Sequence, residues 1–161
     1  MAPLADTRLE YFRIVWAKHI TAKGLQHLPK TLREVEVEGH MLDAAVLQHL
    51  GEVPTWTIDV DGRGPATLIA DMRASPLRDH LRTLTLRGDL GALDSLAPLA
   101  AFAALRTLDM RECFGEVPDE ALQRLRERGI TVRLPLPPQD DPNAGMVFQV
   151  DEIVEQGGGG K

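Results

Sequence analysis

Leu81-Arg-Thr-Leu-Thr-Leu86 and Leu105-Arg-Thr-Leu-Asp-Met110 share one pattern: a Leu, two variable residues, an apolar residue, one variable residue and another apolar residue. Leu9-Glu-Tyr-Phe-Arg-Ile14 and Leu32-Arg-Glu-Val-Glu-Val37 repeat it, and Thr55-Trp-Thr-Ile-Asp-Val60 lacks only the leading Leu. Glu127-Arg-Gly-Ile-Thr-Val132 closes the series in degenerate form. Aligned on the middle apolar position, the six stretches give Phe12, Val35, Ile58, Leu84, Leu108 and Ile130, at intervals of 23, 23, 26, 24 and 22 residues. Alternating apolar and variable positions predict a short strand with one row of side chains buried. The near-constant interval marks an internal repeat.

Between these stretches the apolar spacing becomes helical. Leu42, Val46, Leu47 and Leu50 share one helical face, as do Leu68, Ile69 and Met72. Leu93, Leu96, Leu99 and Ala100 form a third candidate, shortened or bent by Pro98. The last helix carries Pro118, Asp119 and Glu120 at its start, Ala121, Leu122 and Leu125 inward, Arg126 and Arg128 in its final turn, and Gly129 as its stop. A strand and a helix repeated every two dozen residues cannot bury an apolar face alone, whereas stacked copies can. The expected fold class is α/β, a solenoid of about five to six units.

Through LRTLTL (81–86), LRTLDM (105–110) and LREVEV (32–37), the chain resembles the leucine-rich repeat family over about residues 9–134. The resemblance implies short parallel strands on a concave face, helices on a convex face, and protein–protein recognition as the business of the fold. The family motif continues with Asn or Cys three residues beyond the last apolar strand position. Here those positions hold Ala17, His40, Arg63, Asp89 and Cys113, of which only Cys113 fits.

The same alignment arranges the outward side chains in columns. The central column reads Arg13, Glu36, Asp59, Thr85, Asp109, Thr131; the following one reads Val15, Glu38, Asp61, Arg87, Arg111, Arg133. Neighbours in a column lie about 4.8 Å apart at the strand spacing. Glu34, Glu36, Glu38, Asp59 and Asp61 are therefore expected to form an acidic end, and Arg87, Arg111 and Arg133 a basic line at the other. Stacked like charges cost stability that a purely structural face would avoid, which makes this face the expected docking surface for a protein partner of complementary charge.

The chain has 161 residues, 43% hydrophobic and 26% charged, enough for one packed core and a tail. The N-terminal lead-in spans residues 1–8. A proline-rich connector spans 135–145, and an apolar, acidic tail spans 146–161 and ends in Gly157–Gly160 and Lys161. Residues 1–139 hold 17 basic and 19 acidic groups, and the remainder holds one lysine against five acids. The net charge of −6 argues against nucleic acid. In the tail, Phe148, Val150 and Ile153 are candidates for a segment that docks on a partner. Alternatively, the tail caps the last repeat, folds back on the arginine line, or is modified as part of a carrier or substrate. No apolar run approaches the ~20 residues of a membrane span, and the N-terminus carries no basic-plus-apolar leader. With one cysteine, no internal disulfide framework is possible. A cytoplasmic setting follows, and the Arg-rich, Lys-poor set (14 Arg, 4 Lys) points to a GC-rich bacterial genome.

Motifs of catalysis are missing. His19, His27, His40, His49 and His80 form no HxxxH or HExxH pair, and Cys113 has no CxxC partner. Gly62-Arg-Gly-Pro65 lacks the ending of a phosphate loop, and Ser75 and Ser95 have no GxSxG context. The expectation is a non-catalytic interaction module, a scaffold or adaptor, with no cofactor and no small-molecule substrate. The alternative is a cation or acid–base site built from Glu36, Glu38, Asp59, Asp61 and His40.

Overall fold

The computed structural model describes residues 7–14, 22–60, 64–90, 96–115 and 117–135. Residues 1–6 of the lead-in, Asp61, Leu93, and the connector and tail from residue 136 onward, with Phe148, Val150 and Ile153, lie outside them.

Each alternating stretch forms a strand: β1 (Tyr11–Arg13), β2 (Glu34–Glu38), β3 (Thr55–Asp59), β4 (Thr83–Asp89), β5 (Thr107–Phe114) and β6 (Thr131–Arg133). All six join in one open sheet in sequence order, and every neighbouring pair is parallel. Parallel neighbours require a crossover connection. The crossovers carry α1 (Ala22–Leu25), α2 (Ala44–His49), α3 (Pro65–Arg73), α4 (Leu77–His80) and α5 (Asp119–Glu127), with 3-10 turns at Gly39–Met41 and Ala97–Ala101. The molecule is thus an α/β protein with a single six-stranded parallel sheet.

Local chemistry sets the helix ends. The Asp43 carboxylate accepts the Val46 N–H at 2.8 Å and caps α2. Asp119 and Glu120 occupy the first turn of α5, and Gly129 ends the turn with φ of 76°. The segment around Pro98 is a short 3-10 helix with the proline in its first turn. Its Leu96 and Leu99 are fully buried, as the apolar spacing predicted.

The core lies between the inner face of the sheet and the helices. Val35, Val37, Trp56, Ile58, Leu84, Leu86, Leu108 and Met110 contribute from the strands, and Val46, Leu47, Leu68, Ile69, Met72, Leu122 and Leu125 from the helices. The largest is Trp56, 0% exposed, whose indole N–H donates to the Val53 carbonyl at 3.1 Å. That bond removes the cost of burying the ring nitrogen.

The pairing corrects the register at two strands. Val35 lies opposite Trp56, and Trp56 opposite Leu84, so Trp56 rather than Ile58 holds the middle position of the third unit. Likewise Val132, not Ile130, lies opposite Leu108. Both shifts are of two residues, which preserves the face but changes every lateral neighbour. The crossover from β3 to β4 contains two helices, α3 and α4, and the extra chain absorbs the longer interval that results.

One close approach ties two crossovers together. A Cβ added at Gly51 would lie 2.7 Å from the Leu47 carbonyl oxygen and 2.8 Å from Pro76 Cβ and Cδ. Gly51→Ala therefore overpacks the α2–Pro76 contact and is expected to cost about 1–3 kcal/mol. Trp56→Ala opens a cavity behind β3 and is expected to cost about 3–5 kcal/mol. Urea unfolding followed by far-UV circular dichroism measures both, and a loss under 0.5 kcal/mol at either site contradicts the packing described.

Candidate interaction face

The odd side chains of β2 point inward and the even ones outward, so Glu34, Glu36 and Glu38 share the open face of the sheet. Across that face the register sets three columns. One reads Tyr11, Glu34, Thr55, Thr83, Thr107, Thr131, and the next reads Arg13, Glu36, Thr57, Thr85, Asp109, Arg133. The third reads Glu38, Asp59, Arg87, Glu112. Between Thr85 and Arg87 the β4–β5 pairing slips by one residue, and the resulting bulge leaves both Arg111 and Glu112 exposed.

This pattern overturns the expected split into acidic and basic ends. The acidic half stands, with Glu34, Glu36, Glu38 and Asp59 on β2 and β3, while Asp61 lies outside the described residues. The basic line does not form: Arg87 faces Glu112, Arg133 faces Asp109, and Arg111 sits on the bulge. The cause is the two-residue shift at β3 and β6, together with the bulge, neither of which a constant interval encodes.

Two carboxylates organise the face. Glu36 is 7% exposed, receives the Tyr11 hydroxyl at 3.1 Å, and pairs with Arg13 at 3.2 Å and with Arg87 Nη1. Arg87 continues the chain through Nε, 3.1 Å from Glu112 Oε2, although that N–H finds no well-aligned acceptor. Asp109, also 7% exposed, is held by the Arg111 guanidinium at 2.7–3.1 Å through both of its oxygens, accepts the Arg111 backbone N–H at 3.2 Å, and meets Arg133 at 3.5 Å. Hydrogen bonds from Arg111 hold its carboxyl below the usual carboxylate range, against the opposing effect of burial. Buried carboxylates are tolerated here because each is multiply bonded to arginine.

The remaining sequence candidates are placed as follows. His40 lies in the 3-10 turn after β2, half exposed, with Nδ1 3.2 Å from Glu38 Oε2. Among the described residues, no three His, Cys, Asp or Glu side chains converge as a metal-binding group. Cys113 is 5% exposed and its thiol donates to the Leu86 carbonyl at 3.0 Å; burial, the largest cause, raises it to about 12, so it is no nucleophile near neutrality. The residue that the sequence reading passed over is Phe114, 72% exposed at the end of β5. The motif stops at Met110, but the strand runs four residues further. Cys113, at the position the family motif reserves for Asn or Cys and buried here, was the signal that the segment after Met110 still packs against the core.

No protein-family model matches this chain, and no curated protein matches its sequence.

The depressed Asp109 carboxyl links stability to pH. A group whose pKa is lower folded than unfolded stabilises the fold above its unfolded value, near pH 4, and that stability is lost as pH falls through the folded value. Asp109→Asn is expected to cost about 1–2 kcal/mol at pH 7, a modest figure because Arg111 and Arg133 are half exposed and screened. The variant's disadvantage should shrink between pH 4 and pH 2. Urea midpoints across that range check it, and a pH-independent difference would contradict the linkage.

Proposed function

We propose that this chain is a leucine-rich-repeat solenoid of about six units whose open sheet face binds a protein partner without catalysis. Six parallel strands in strict sequence order, each with a helical return on one side, support the solenoid reading. So does a device repeated along the leading edge of the sheet, where one carbonyl accepts two N–H groups of the next strand. Glu10 O receives Arg33 and Glu34, Pro54 O receives Arg82 and Thr83, and Arg82 O receives Arg106 and Thr107.

The observation that carries the binding reading is the exposed aromatic on a face of fixed charges. Phe114 leaves nearly three-quarters of its surface in water beside side chains that ion pairs have already ordered. Burying it against a partner gains apolar area, and aromatic anchors of this kind dominate binding energy. The pre-ordered arginines and carboxylates lose little further entropy on docking and set its orientation. The acidic half, Glu34, Glu36, Glu38 and Asp59, calls for a basic patch on the partner.

Arg87, Arg111 and Arg133 are poor probes of this reading, because reversing them strands Glu36 and Asp109 among like charges and tests stability instead. Phe114→Ala and Glu34→Lys leave those pairs intact. Each is expected to weaken partner binding by about tenfold or more while the melting temperature stays within about 2 °C. Arg126→Glu, on the exposed side of α5, should leave binding unchanged. Quantitative pull-down from the source organism's lysate with wild type and the three variants, then interferometry on the captured protein, provides the measurement. Equal capture by all four proteins would remove the open face as the docking surface.

A further inference from the structure

The basic residues of the protein fall into two populations. On the open face, Arg13, Arg87, Arg111 and Arg133 are each paired with a carboxylate. At the leading edge of the sheet, where the chain enters β1 to β4, Arg8, Lys30, Arg33 and Arg82 are all exposed, and none forms an ion pair among the described residues. These four line one open groove of about 500 Å³, with His80 beside them and Glu10 and Glu52 as its acids among the described residues. Four unneutralised cations in one depression repel one another, and an incoming anion relieves that repulsion.

We infer that this groove is a second binding site, distinct from the open face, and that it takes an extended acidic peptide segment of a protein partner. Its shape and donors select that ligand over other anions. The groove crosses the starts of four neighbouring strands, about 14 Å at the ~4.8 Å strand spacing, which matches about four residues of extended chain. Four backbone N–H groups at this edge are already spent, those of Arg33 and Glu34 on Glu10 O and those of Arg82 and Thr83 on Pro54 O, so they cannot form the backbone nest that ordinarily holds a compact phosphate. Arg33 and Arg82 stand two strands apart, so they meet separate carboxylates rather than converging on one ion. Glu10 and Glu52 interrupt the positive surface and would oppose the dense, regular charge of a nucleic-acid backbone. A peptide with carboxylates on alternate residues passes between them. Guanidinium groups hold such carboxylates through paired N–H donors.

The test uses the full 161-residue chain and a fluorescein-labelled octapeptide of alternating Glu and Ser, read by anisotropy at low salt. The Glu peptide is expected to bind and its Gln counterpart to fail. R33E/R82E should weaken binding by about tenfold or more, and R33Q/R82Q by a smaller factor. These side chains are exposed and support no neighbour, so both variants should melt with wild type; if the reversal misfolds, the Gln pair carries the result. Phe114→Ala should bind the probe within about twofold of wild type, which separates this site from the open-face reading. Three results would overturn the inference: equal binding of the Glu and Gln peptides, undiminished binding by both Arg33/Arg82 variants, or displacement by pyrophosphate at lower concentration than by unlabelled Glu peptide.

Discussion

A strand of three to eight residues with one short helix behind it has two apolar surfaces to hide and nothing of its own to hide both against. Lateral stacking solves this, and the stack is what the rest of the molecule rests on. Val35, Trp56, Leu84 and Leu108 lie opposite one another along the inner face of the sheet, and each supplies wall to the next. Helix contacts follow the same order, with α1 against α2 and α2 against α3. Gly51 shows how tight the stacking is, since even a methyl group would strike Pro76 of the following unit. If the proposed solenoid reading holds, stability is shared between neighbours rather than stored in any one unit.

Stacking also brings side chains on the solvent side within a strand spacing of each other, which makes charge there expensive unless its sign alternates. The face meets that demand through Glu36 and Asp109. Each is nearly buried although it points away from the core, because long arginine side chains close over it. The guanidinium heads hold the carboxylates directly and keep part of their own surface in water. Removing Arg13, Arg87 or Arg133 therefore takes an ion-pair partner from a carboxylate on another strand.

The sequence discloses periodicity and face, and lateral partnership only in part. Thr55-Trp-Thr-Ile-Asp-Val60 contains three alternate apolar residues, Trp56, Ile58 and Val60, and all three are buried. Either adjacent pair, Trp56 with Ile58 or Ile58 with Val60, satisfies the motif. Choosing the pair that evens the intervals selects Ile58, whereas the two-helix crossover of α3 and α4 permits the longer step that brings Trp56 opposite Val35. Because the error is two residues, inward residues remain inward. Asp59, however, moves from beside Glu36 to between Glu38 and Arg87, and Arg133 moves onto Asp109. The bulge after Thr85 is likewise invisible in the motif, and it is what breaks the arginine line. The basic groove was written more openly. The residue after the leading Leu is Arg in three units, Arg33, Arg82 and Arg106, and the hydrogen-bond pattern sets all three along the same edge.

Pairing state therefore separates two kinds of charge in one small protein. On the open face the pattern is closed: each described arginine has a carboxylate, and in the proposed complex those fixed charges would orient the partner while Phe114 supplied affinity. At the leading edge the pattern is open: Arg8, Lys30, Arg33 and Arg82 outnumber Glu10 and Glu52, and the net positive field that remains would attract an anionic segment and weaken as salt rises. A ligand on the face must match charges already fixed in place, whereas one at the edge supplies what is missing. If both proposals hold, the face discriminates by shape and register, and the edge captures by sign.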